Sequence, residues 1–121
     1  MWYNPVMYKF IILFLILIST AYSSNNIGEL LFNGNCVTCH FRTENISAPS
    51  MKEVKENYIR AFPNKIDFIK YMSKWVSEPN KEGSLMSSAI NKYEIMPTLG
   101  FEEDYLKDIA SYIYDTDFNK K

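Results

Sequence analysis

The chain has 121 residues, enough for one small domain and too few for two. With 47% hydrophobic and 22% charged residues and only 4 glycines, it is neither disordered, fibrous nor of low complexity. A formal charge of -1 removes the electrostatic case for nucleic-acid binding, which needs a clustered basic face. Two cysteines and one histidine exclude a disulfide-dense scaffold and any zinc site built from four such ligands.

The first segment reads as an export signal. Phe10 to Ile18 is an unbroken apolar run preceded by Lys9, shorter than the about 20 residues that span a bilayer comfortably. Its size is that of a signal-peptide core, and Ser19-Thr20-Ala21-Tyr22-Ser23 behind it offers small residues for cleavage after Ala21 or Ser23. Met7 is an alternative start. Residues 1–23 are therefore expected to be a signal peptide, the alternative being a retained membrane anchor, and 24–121 the functional domain.

That domain reads as all helix. Ile27, Leu30 and Leu31 stand at helical spacing before Gly34, predicting a short first helix. Ser50-Met51-Lys52-Glu53 has the form of a capping box, in which serine and glutamate satisfy each other's backbone N–H, opening a helix to about Tyr58. Asn64-Lys65-Ile66-Asp67 repeats that logic with weaker partners. Behind it Phe68, Tyr71, Met72, Trp75 and Val76 form a broad apolar face that ends before Pro79. Met86, Ala89, Ile90 and Tyr93 add one or two turns. Glu102, Glu103 and Asp104 put negative charge at the positive end of a last helix, whose stripe is Leu106, Ile109, Ala110 and Ile113. No alternating β-branched run predicts a strand.

The chemistry sits in Cys36-Val37-Thr38-Cys39-His40. C-x-x-C-H is the attachment signature of c-type haem. Two thiols can add across the two porphyrin vinyl groups as thioethers, and two intervening residues let one helical turn present both sulfurs to one porphyrin edge. The imidazole that follows lies where it can ligate the iron. Three rivals compete for these residues. A thioredoxin-like redox pair normally belongs to a βαβ context, a zinc site lacks ligands, and a structural disulfide is permitted by export.

The sequence resembles the class I, single-haem cytochromes c over essentially the whole domain. Gly28-Glu29-Leu30-Leu31-Phe32 leads into the Cys36–His40 motif, Met96-Pro97 follows, and Asp108-Ile109-Ala110-Ser111-Tyr112-Ile113 closes the chain in the family's order. The resemblance implies helices wrapped around one covalent haem c, with Gly28 and Phe32 meeting Tyr112. It implies His40 and Met96 as iron ligands, and the Pro49 carbonyl as acceptor for the other N–H of His40. Met96 also stands out locally, because Pro97 disfavours helix at the preceding residue and leaves the thioether in a loop. Of the other methionines, Met1 and Met7 fall in the export segment, and Met51 and Met72 suit a core. Met86 is the runner-up ligand.

Trp75 and Tyr71 carry polar handles that could reach haem propionates, or they simply pack in the core. Glu102 to Asp104 read as helix-terminal charge, and Asn45-Ile46-Ser47 fits a glycosylation sequon that export from a bacterium would leave idle. A His/Met iron has no open position, so the expected function is single-electron transfer in a periplasmic respiratory chain. The expected molecule is a non-enzymatic monomer that meets donor and acceptor proteins briefly. Two alternatives are a haem subunit of a larger oxidase or dehydrogenase, and a haem enzyme or sensor whose sixth ligand is open or displaced.

Overall fold

The computed structural model describes residues 4–19 and 25–120. Among them lie six helices and no strand: α1 (Pro5–Ser19), α2 (Asn25–Asn35), α3 (Met51–Ala61), α4 (Lys65–Ser77), α5 (Ser87–Tyr93) and α6 (Glu103–Asp115). The protein is all-α.

α1 contains the apolar run but begins earlier, with Pro5 pre-set for a first helical position and the Asn4 side chain accepting from the Val6 N–H at 3.2 Å. The side chains of Phe10 to Phe14 are exposed, and among the described residues α1 packs on no other helix. No helix among the described residues is long and apolar enough to cross a membrane. The expected cleavage points after Ala21 and Ser23 lie outside the described residues.

The rest is organised by α6. α2 and α4 both pack on it, and α3 touches α4 and α6. All four members of the predicted α6 stripe are buried: Leu106, Ile109, Ala110 and Ile113. α2 differs from its prediction in two ways. Gly34 lies inside the helix instead of ending it, and the apolar trio does not form the buried face. Ile27 and Leu30 are 47% and 70% exposed, whereas Phe32 is 1% exposed. The reason is the crossing. A Cβ on Gly28 would stand 2.2 Å from the Asp108 carbonyl oxygen, so only glycine lets α6 approach this closely. That approach sets Phe32 against Tyr112, ring centroids 5.3 Å apart, and against Phe118 at 5.7 Å.

The capping box of α3 is half formed. Glu53 N–H donates to Ser50 Oγ at 3.2 Å, but Ser50 N–H is taken by Asn45 Oδ1 at 2.5 Å. On α4, Asn64 caps as predicted, accepting from Ile66 and Asp67 N–H. The broad α4 face divides: Phe68 and Met72 are buried, Trp75 and Val76 half-buried, and Tyr71 is exposed and stacked on Phe62 at 4.0 Å.

The C-terminal segment is held by residues that no periodicity announces. Phe118 is buried, the Arg42 guanidinium lies 5.2 Å from its ring centre, and Arg42 Nη2 donates to the Asp117 and Lys120 carbonyls at 3.0 Å each. Lys55 Nζ donates to the Thr116 carbonyl at 2.6 Å. These contacts tie residues 116–120 to α3 and to the loop before it, closing the back of the core.

Candidate cofactor cleft

The turn after α2 carries the C-x-x-C-H residues. Cys36 N–H donates to the Phe32 carbonyl at 2.9 Å, continuing the helical path, and His40 N–H returns to the Cys36 carbonyl at 2.9 Å. Cys36, Cys39 and His40 are thereby gathered at one edge of a single cleft. Both thiols are free. Cys36 is half-buried and its burial pushes the thiol up to about 11, the reverse of the depressed value that makes a redox-pair cysteine a nucleophile.

His40 is oriented by its neighbour loop. Its Nδ1 stands 2.7 Å from the Pro49 carbonyl oxygen. A carbonyl can only accept, so Nδ1 carries a proton, and in the neutral ring Nε2 is the nitrogen left with a lone pair for a ligand. The loop from Phe41 to Ser50 is closed at its neck by Met51 N–H to Phe41 O at 2.8 Å and Lys52 N–H to Arg42 O at 3.0 Å.

The cleft has a volume of about 230 Å³. Its concave shape and largely apolar lining are those of a surface that can take up an apolar ligand. One wall is the core itself: Met51, Tyr58, Met72, Leu106, Ile109 and Ile113 are buried from outside yet line it. The far wall is α5 and the segment after it, including Met86, Tyr93, Met96, Pro97 and Leu99. α5 packs on no other helix, and borders the cleft instead. Met96 is half-buried in the non-helical stretch between α5 and α6, where Pro97 leads the sequence to expect it. Met86, at the start of α5, lines the same cleft.

The Met96 segment is bounded by two left-handed residues. Gly100 has φ +74°. Glu94 has φ 69° and ψ 174°, a backbone region that is otherwise almost confined to glycine. Glu94 N–H is held by the Ile90 carbonyl at 2.9 Å. Trp75 lines the cleft, but its indole N–H donates to the Asn80 carbonyl at 2.9 Å. Its polar handle is therefore engaged in the turn after α4. Tyr71 does not line the cleft.

The lining suits a large apolar group better than a bare ion. Among the described residues no group of three or more His, Cys, Asp and Glu side chains could hold a metal ion. One imidazole, soft thioethers and two thiols on the lining of an apolar cleft are groups that could hold a covalently tethered haem. The sequence did not single out Leu99, which carries no pattern that distinguishes cleft from core, and Asn45 was legible only as a sequon.

Comparisons with other proteins add one relative. An uncharacterized protein of Aquifex aeolicus (strain VF5) is 28% identical over 72 residues, 57% of this chain and 47% of that protein. The chain thus spans about half the length of the relative it matches. No family model matches the chain, and no solved structure matches it.

Proposed function

We propose that the chain is an exported electron-transfer protein of the class I cytochrome c kind, carrying one covalent haem c. The observation that carries this reading is the convergence of Cys36, Cys39, His40 and Met96 on one apolar cleft. In it, Cys36 and Cys39 would hold the haem by thioether bonds, and His40 Nε2 and Met96 Sδ would bind its iron. Bound there, the haem supplies reversible one-electron chemistry between Fe(II) and Fe(III).

The protein's own residues do the rest. The Pro49 carbonyl holds the His40 ring in one orientation and in the tautomer with a free Nε2. The apolar walls exclude water, and a thioether ligand favours the ferrous state relative to a second imidazole. Cys39 is exposed while Cys36 is half-buried, so the lip of the cleft is where a docking redox protein comes nearest. Such encounters are small and brief. The site of action is proposed to be the periplasm, with the protein a monomer.

A second reading has its own support. The glycine-like backbone of Glu94, two residues before Met96, stores strain next to that methionine, which suits a haem sensor with a displaceable methionine.

The deciding experiment is expression with a haem-maturation system, followed by acid–acetone extraction and a pyridine haemochrome assay. Haem that stays with the protein supports the proposal, and haem that washes out ends it. The oxidised spectrum then separates the two readings. A weak near-red band that is lost in Met96→Ala and kept in Met86→Ala supports electron transfer with Met96 as ligand. A spectrum that shifts on adding CO to the reduced wild type supports the sensor.

A further inference from the structure

One peptide group next to His40 is gripped at both ends. Its carbonyl, Pro49 O, accepts from His40 Nδ1 at 2.7 Å. Its N–H, that of Ser50, donates to Asn45 Oδ1 at 2.5 Å. The Asn45 amide continues the chain, since its Nδ2 donates to Glu53 Oε2 at 2.9 Å. Imidazole, peptide, side-chain amide and carboxylate are thus linked in series, each group donating to the next one away from the ring.

We propose that Asn45 and Glu53 are positioning residues that set the donor strength of His40 through the Pro49–Ser50 peptide. This rests on the haem reading above and deepens it by naming what tunes the iron. The physical case has two parts. Geometrically, a peptide plane held at its N–H cannot rotate its carbonyl away from the ring. Electronically, amides in series polarise one another, and the carboxylate at the end draws positive charge along the chain toward itself. The Nδ1–H proton is pulled toward Pro49, and Nε2 becomes a stronger σ-donor. A stronger donor favours Fe(III), so the chain lowers the reduction potential.

The arrangement also explains why α3 lacks a complete capping box. The Ser50 N–H that Glu53 would have accepted is given to Asn45, and the Glu53 carboxylate reaches the same asparagine instead. Asn45 is thereby committed within the loop, which accounts for the sequon without invoking a glycan.

The test is potentiometric titration of the haem-bearing protein and three variants. Asn45→Ala cuts the chain in the middle. Glu53→Gln keeps a hydrogen-bonding group at its end but removes the charge. Glu56→Gln removes a carboxylate from the same helix outside the chain, where Glu56 pairs with Lys52 at 3.8 Å. Asn45→Ala is expected to raise the midpoint potential by about 59 mV, the equivalent of a tenfold change in the relative stability of the two oxidation states. Glu53→Gln is expected to raise it by a smaller amount that still exceeds the effect of Glu56→Gln. An unmoved potential in Asn45→Ala, or equal shifts in the two glutamate variants, overturns the proposal. Should Asn45→Ala fail to mature, the two glutamate variants decide by themselves. Wild-type protein without covalent haem overturns the function proposed above, whereas haem-bearing protein with unmoved potentials overturns only the chain.

Discussion

Gly28→Ala puts a methyl group into the closest approach of two helices. The new Cβ would stand 2.2 Å from the Asp108 carbonyl oxygen and 2.8 Å from its carbon, both backbone atoms that cannot rotate aside. Ordinary contact begins near 3.4 Å, so α2 and α6 must part by roughly 1 Å. That movement opens the Phe32–Tyr112 and Phe32–Phe118 contacts, and a gap of this size forfeits a quarter to a half of the attraction across it. Overpacking of this kind costs about 1–3 kcal/mol, while alanine recovers about 1 kcal/mol through its higher helix propensity. The net expectation is a loss of about 1 kcal/mol, or roughly 4–8 °C in a domain of this size. Gly34→Ala is the matched control. It lies in the same helix with nothing within 4 Å of its would-be Cβ, so propensity acts alone and stabilises by up to about 1 kcal/mol. Denaturant titrations of both haem-bearing variants, followed by far-ultraviolet circular dichroism, read the two signs. A Gly28→Ala protein as stable as wild type would refute the crossing geometry, because propensity alone pushes the other way.

Further outcomes follow from the cleft and its borders. Glu94→Gly should stabilise the protein by about 1 kcal/mol by releasing a backbone that side chains resist, and it should weaken any displacement of Met96 by imidazole. A melting temperature at or below that of wild type counts against this. Burial pushes the Tyr58 hydroxyl from 10.0 up to about 12, so the folded chain keeps a proton that the unfolded chain has lost. Its contribution is complete below pH 10 and falls as pH rises toward 12, by about 1.4 kcal/mol at pH 11. Tyr58→Phe should flatten that part of the stability curve, and an unchanged slope rejects the assignment. Haem-free chain should be largely unfolded, since a domain this small has a thin core and the cleft at its centre would be left unfilled. A native-like cooperative melt of such material would contradict this.

Local signals carried the helices and the motif. The Asn64 cap, the Leu106–Ile113 stripe and the C-x-x-C-H run each act within a few residues, so spacing alone reveals them. The expectation for Pro49 came from resemblance, and the 2.7 Å contact with His40 is a loop closure that residue order does not encode. Trp75 was legible as an apolar residue with a polar handle. That its N–H turns to Asn80 depends on the backbone path after α4.

Composition and spacing by themselves determined that this is a small helical domain with two thiols and an imidazole presented by one turn. Which side chains became core was decided only when α6 crossed α2 at Gly28, because burial depends on what lies opposite and not on periodicity along one helix. The same is true of the chain from His40 to Glu53. Its links come from a loop folding back on itself, and hydrogen-bond partners separated along the backbone are chosen by three-dimensional closure.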